Sequence, residues 1–288
     1  MNTTGYDFNT QPILIDFMHI GQLYNKVAST YNQEVSGQVL GKSKQMALEL
    51  AIQDPQEKGS ILALGVGDGT DLLPYVEHYP KAELHGLDIS ENMLKKVNDI
   101  LHCATYHGDI GKASKIIDKH DFDFIIAHFV TAYVPLPTIL QESHKLIAEK
   151  GTLSIVTNTM SSFPMMQSII PKLQHSANPI HKLIARHVHK TLETVYVPKN
   201  LEHLQELIES NGFKLKALDE KHIDLQLNSE KEIFDFFING GWFVSGLMHP
   251  LLPSRLISRV CAQLIHKYCP VPFAESMKIA IAIAEPLG

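Results

Sequence analysis

Apolar positions recur along the chain in two rhythms. From Pro12 onward, Ile13, Phe17, Ile20, Leu23, Tyr24 and Val27 fall at helical spacing, which predicts an N-terminal helix. A second helix is predicted over about Gly37–Ile52, followed by a turn-rich linker, Asp54–Gly59. Short apolar runs then alternate with helical stretches. Ile61–Leu64, Glu83–Leu87, Thr105–His107, Phe122–Ala127 and Thr152–Asn158 read as five strands. Helices are predicted from Asp71 to His78, from Ser90 to about His102, and over Lys112–Asp118. The fourth run is nearly all apolar after Asp123, as a strand covered on both faces should be. Past Asn158 the pattern predicts two helices within 159–199, then a helix ended by Gly212 and a strand over Lys214–Leu227. It continues with a helix from Ser229 to about Gly240, a break at Gly240-Gly241-Trp242-Phe243, a helix over Pro253–Tyr268 and a last strand from Met277.

The first strand runs into three glycines at alternate positions, Gly65, Gly67 and Gly69. Glycine lets backbone approach a ligand without a Cβ in the way, and the N–H groups of the following helix face that ligand. Nineteen residues after Gly69 comes Asp88, at the end of the second strand. An acid there can accept both hydroxyls of a ribose, or it can be a solvated strand end. The spacing G-x-G-x-G departs from the dinucleotide fingerprint G-x-G-x-x-G.

These residues resemble motif I of the class I S-adenosylmethionine (SAM)-dependent methyltransferases. Asp88-Ile89-Ser90-Glu91-Asn92-Met93-Leu94 resembles the second motif of that family, and Gly108-Asp109-Ile110 the adenine-contacting third. Phe122–His128 resembles its fourth strand, and Glu142–Leu153 its helix, glycine turn and fifth strand. Tyr24-Asn25-Lys26-Val27-Ala28-Ser29-Thr30-Tyr31 resembles the entry segment that covers the methionine end of SAM. The resemblance implies a doubly wound, mostly parallel α/β sheet of seven strands with an antiparallel last strand. It also implies SAM as cofactor, held by Tyr24, Tyr31, Gly65, Gly67, Gly69, Asp88, Ile89, Met93, Asp109, Ile110, His128 and Phe129. One departure stands out. Where the family has an acid two before the first glycine, to hold the methionine amine, this chain has Ala63; Asp68, Asp71 or backbone carbonyls are the alternatives. Tyr24 and Tyr31, seven apart, share a face if the helix continues, and simple core packing is an equal reading of them. His128 at the end of strand four reads as a cofactor contact, as a general base, or as a histidine bonded to a loop carbonyl.

Composition narrows the class. The chain has 288 residues, 44% hydrophobic and 19% charged, enough for a folded core. A net charge of −6 argues against general nucleic-acid binding. Cys103, Cys261 and Cys269 have no metal-type spacing and read as buried free thiols of a reducing, cytoplasmic setting. Residues 1–25 lack the basic start and apolar block of a signal peptide, and no apolar run reaches the roughly 20 residues of a membrane span. Sixteen histidines include no H-E-x-x-H, so no metal site is expected. From Lys172 to Lys199 five basic residues face one acid, and Lys182, Arg186 and Lys190 are spaced four apart. That row reads as solvated surface or as a site for an anionic acceptor.

The expected organisation is N-terminal helices over the cofactor site (1–58), a SAM-binding core (59–158) and a helical cap (159–199). A return to the core (200–228), a second helical insertion (229–276) and a final core strand (277–288) follow. The expected activity is methyl transfer from SAM to a small molecule, with a carboxylate the analogy from enzymes such as trans-aconitate methyltransferase. Arg186 and Trp242 are the expected acceptor contacts. SAM binding without catalysis is the alternative, and a nicotinamide-dependent oxidoreductase is a more distant one.

Overall fold

Seven strands form one sheet in the order β3-β2-β1-β4-β5-β7-β6. The computed structural model describes residues 17–32, 34–52, 59–192, 195–242 and 254–288. Ile13, residues 54–58 of the linker, Glu193 and Phe243 lie outside these residues. The strands are β1 (Ser60–Leu64), β2 (Glu83–Asp88), β3 (Ala104–His107), β4 (Phe122–His128), β5 (Ile147–Asn158), β6 (Phe213–Leu227) and β7 (Phe273–Pro286). β1 to β5 run parallel, and β7 lies antiparallel between β5 and β6. The carboxyl ends of five strands therefore share one edge, where ligands of open parallel sheets bind.

Strands β1 and β4 are buried on both faces, and alternate residues feed two cores. Leu62, Leu64, Ile125 and Ala127 face α6 (Leu136–Leu146) and α9 (Leu201–Ser210). Ile61, Ala63, Phe124 and Ile126 share the other core with α2 (Glu34–Ala51). Between β1 and β4 lie α3 (Leu73–His78), α4 (Glu91–Ile100) and α5 (Ala113–Ile116). Ser90 caps α4, its hydroxyl accepting from the Met93 N–H at 3.2 Å.

The N-terminal helix α1 (Phe17–Val27) ends sooner than the aromatic spacing predicts. Tyr31 falls in the turn after it, so the two tyrosines meet by a chain reversal. β7 begins four residues before the expected Met277, because Phe273 and Glu275 pair with Leu227 and Leu225 of β6. Glu275 is buried, and its carboxylate accepts the Met165 and Met166 N–H groups at 3.2 and 2.8 Å. Those N–H groups open α7 (Pro164–Gln174), so a negative charge sits at a helix start. Helix α7 packs on α8 (Pro179–Leu192), and Ile169, Leu173 and Ala185 join the core on the α2 side. α10 (Glu230–Phe234), with a π-helical turn over Asp235–Asn239, and α11 (Ser254–Tyr268) lie between β6 and β7. Cys269 is buried; Cys103 and Cys261 are only half-buried, and all three are free thiols.

Candidate active site

The glycine turn leaves β1 with Gly65 at φ +76°, where a Cβ would meet Val130 Cγ1 at 2.4 Å. The Gly65 and Val66 N–H groups both donate to Leu87 O, folding the turn across β2. Gly67 N–H then donates to Asp88 Oδ2 at 2.9 Å, and Ser90 N–H to Asp88 Oδ1 at 2.8 Å. Burial pushes the Asp88 carboxyl up to about 6, against these backbone hydrogen bonds, which lower it. A carboxylate offers about four acceptor positions, so Asp88 keeps capacity for a ligand's hydroxyls.

A cleft opens at the strand ends, about 630 Å³ when the space open to solvent is included. The structure brings eleven of the twelve expected cofactor residues to its wall: Tyr24, Tyr31, Gly65, Gly67, Asp88, Ile89, Met93, Asp109, Ile110, His128 and Phe129. Gly69 is set elsewhere. A Cβ there would meet the Val97 Cα at 3.2 Å, so this glycine admits α4 rather than a ligand. The cleft also gains Gly108 of the third motif, and Ile20, Val130, Tyr133 and Val134, which the motifs do not mark.

Helix α1 closes the cleft on one side. Tyr24 Oη donates to Tyr133 Oη at 2.9 Å, and the Tyr31 ring meets the Tyr24 ring edge-on at 5.9 Å. Burial pushes all three phenols up, Tyr133 to about 12, so they stay protonated. Asn25 fastens the helix to α4: its Oδ1 accepts from Ser90 Oγ at 2.7 Å and from Asn92 N–H at 3.0 Å.

His128 is 4% exposed, and its Nε2 lies 3.0 Å from Ser154 Oγ. Burial lowers it to about 4, so the imidazole is neutral at neutral pH. Its Nδ1 is buried without a hydrogen-bond partner. Neither alternative acid replaces Ala63 on the cleft wall. Asp68 Oδ1 accepts the Thr70 N–H and hydroxyl at 3.3 and 2.7 Å, and Asp71 pairs with the buried Lys44 at 3.0 Å. Lys44 Nζ also donates to Thr70 Oγ1 at 2.6 Å, bracing the glycine turn from α2.

A second chamber of about 520 Å³ shares Tyr24, Tyr31, Phe129 and Tyr133 with the first. Thr131, Thr157, Asn158 and Val197 line it, together with Gly240, Gly241 and Trp242. The Thr131 and Thr157 hydroxyls bond to each other, while Asn158 Oδ1 and Trp242 Nε1 are buried and unpaired. Trp242 stacks on Phe236 at 5.6 Å and meets Phe129 edge-on at 5.3 Å, so it is both core and wall. Arg186 is exposed on α8 and lines neither chamber. Among the described residues no three His, Cys, Asp or Glu side chains are placed to hold a metal ion, and no helix is long and apolar enough to cross a membrane.

A family profile described as "Methyltransferase domain" matches residues 61–151. The chain is 28% identical over 160 residues to the uncharacterized protein RP028 of Rickettsia prowazekii, across 50% of this chain and 64% of that one. It is 24% identical to malonyl-acyl-carrier-protein O-methyltransferase 2 of Ilyobacter polytropus, across 76% and 74% of the two chains. In structure it resembles a candidate sarcosine dimethylglycine methyltransferase from Galdieria sulphuraria, with a TM-score of 0.54 at 12% identity over 92% of this chain and 97% of that one. The YcgJ protein of Bacillus subtilis shares the fold at a TM-score of 0.52 and 12% identity, over 86% and 99%. The profile match identifies residues 61–151 as a methyltransferase domain, and the strand order and glycine turn are those of the class I SAM-dependent methyltransferase fold. SAM is the cofactor of that class. Three features of the cleft fit it: a turn closed to any Cβ, a buried carboxylate at the end of β2, and the unpaired His128 Nδ1.

Proposed function

We propose that the chain transfers the methyl group of SAM to a small molecule held in the second chamber. The observation that carries this reading is the shared wall: four aromatic residues border both chambers, so a ligand in each would meet across them. Gly65, Gly67, Asp88 and Asp109 would hold the nucleoside end in the first chamber, with Ile89, Met93 and Ile110 around the adenine. When bound, SAM supplies a methyl group on a sulfonium, with the thioether as leaving group. The protein's part is alignment and exclusion of water. Tyr24, Tyr31 and Tyr133 fill the entrance with protonated phenols, and the anchored α1 keeps them there. His128 lines the cofactor chamber and not the acceptor chamber, and its lowered basicity makes it a weak base. An acceptor whose nucleophile is already deprotonated, such as a carboxylate, needs none.

A carboxylate acceptor is the second reading, favoured by the likeness to the Ilyobacter polytropus enzyme. It would be received by Thr131, Thr157, Asn158 and the tyrosine hydroxyls beside the sulfonium, since no Lys or Arg is among the described residues of that wall. The test is transfer of labelled methyl from SAM into a small-molecule extract. A labelled product lost on Trp242→Ala and Thr157→Val, with SAM affinity retained, supports the acceptor chamber. Binding of SAM with no labelled product in any extract supports the non-catalytic alternative.

A further inference from the structure

Ala63 leaves the amino group of the cofactor's methionyl end without the acid that the sequence resemblance leads one to expect. We propose that the neutral His128 imidazole takes that place, its Nδ1 accepting a hydrogen bond from the cofactor's ammonium. This rests on the methyltransferase reading and goes beyond it by naming the group that recognises the amine.

Three observations converge. The first is an unpaired atom. Among the described residues, buried side-chain nitrogens and oxygens without a partner are few, and His128 is the one residue bearing such an atom, Nδ1, that lines the cofactor cleft. A buried polar group left unpaired carries a desolvation penalty that a ligand's N–H would relieve. Nε2 lies 3.0 Å from Ser154 Oγ, a contact in which either partner can donate; the proposed tautomer is protonated on Nε2, which leaves the lone pair on Nδ1, as an acceptor requires.

The second is register. Ala63 pairs with Ile126 on the neighbouring strand, and Ile126 with Ser154 on the next. Side chains alternate along a strand, so Ala63, Ile126, His128 and Ser154 point to one face, the face that α2 covers. His128 is thus one alternation further toward the ligand than Ala63, on the adjacent strand. The strand order also fixes which end of the cofactor comes here. Asp109 and Asp88 follow β3 and β2, so the ribose lies on that side and the amino-acid end reaches toward β4.

The third is local charge. Two carboxylates, Asp68 and Asp71, stand against one ammonium, Lys44, in the network behind the glycine turn. Their fields reach the same corner: Tyr31 feels Asp71 and Asp68, and His128 feels Asp71 and Lys44. A net negative corner lined by a neutral acceptor suits an ammonium, and burial is what keeps the imidazole itself neutral.

Calorimetry with two ligands tests the assignment. S-adenosylhomocysteine carries the amino-acid end; 5′-methylthioadenosine lacks it and keeps the nucleoside and the sulfur. His128→Ala should weaken S-adenosylhomocysteine roughly 10- to 100-fold and leave 5′-methylthioadenosine within about twofold. His128→Asn, which keeps an acceptor oxygen, should recover part of the loss, and it carries the same comparison if the alanine variant fails to fold. Equal weakening of both ligands, or no weakening of either, would overturn the assignment and leave His128 a packing residue. Wild-type protein that bound neither ligand would instead overturn the methyltransferase reading, and the assignment with it.

Discussion

Asp88 serves the fold and, in the proposed cofactor site, the ligand with the same carboxylate. It accepts the Gly67 and Ser90 N–H groups, and burial lifts it to about 6 from an ordinary value of 3.8. A raised carboxyl favours the folded state in its protonated form. Its contribution to stability is therefore full below about pH 4 and is lost as pH rises through about 6. Ribose hydroxyls prefer the ionised form, so cofactor affinity runs the other way. Calorimetry from pH 8 to pH 5 should find S-adenosylhomocysteine binding weaker below about pH 6. Asp88→Ala should flatten that profile and weaken binding roughly 10- to 150-fold. A wild-type profile level across pH 6 would refute the role. The same variant should lower Tm, because Gly67 and Ser90 lose their acceptor. Spacing from Gly69 made Asp88 legible as a candidate ribose contact. Its hold on the glycine turn was not legible, because only the folding of that turn across β2 brings Gly67 to it. Gly69 erred in the opposite direction: its motif position is real, but its neighbour is Val97 of α4.

At the scale of elements, α1 and α2 close the site through side chains that periodicity reads as solvated. Asn25 Oδ1 ties α1 to Ser90 and Asn92. Asn25→Ala removes both bonds, worth about 0.5–1.5 kcal/mol each. Amide hydrogen exchange should then speed up over residues 17–32 while β1 and β4 stay protected, and SAM affinity should fall several-fold. Unchanged exchange in α1 would mean that its apolar contacts alone hold it. Lys44 looks like one more polar residue of an amphipathic helix; its burial follows only from Asp71 and Thr70, distant in sequence. Removing one partner of a buried pair costs about 3–5 kcal/mol, and less at a site this close to solvent. Lys44→Met should therefore lower Tm, and Asp71→Asn added to it should restore most of the loss. Additive losses would show that the two residues act separately. Boundaries failed where a polar residue is structural. Glu275 sits in the alternation Phe273, Glu275, Met277, yet its charge hid the start of β7, because its helix-capping partners lie more than a hundred residues away.

Across the whole molecule, the parallel sheet with its antiparallel last strand was legible through the family resemblance, which rests on signals at the strand ends: glycines after β1, acids at β2 and after β3, His128 at β4. The chamber proposed for the acceptor was not. Its wall is gathered from α1 and the turn after it, from α2, from the ends of β4 and β5, and from residues 197 and 240–242, so no linear motif announces it. Thr131, Tyr133, Thr157 and Asn158 had only one usable hint, their place just past or at strand ends. The basic row of α8 was the visible charge feature, and it lies apart from both chambers. The central claim is that the cleft at the strand ends is a SAM site. Thermal unfolding of the full chain with SAM, S-adenosylhomocysteine, NAD and NADP tests it most directly. Ligand at about 100 times its Kd adds roughly 2.7 kcal/mol of stability. A raised Tm with SAM and S-adenosylhomocysteine and none with the dinucleotides is the predicted result; a raised Tm with NAD or NADP and none with S-adenosylhomocysteine would contradict it.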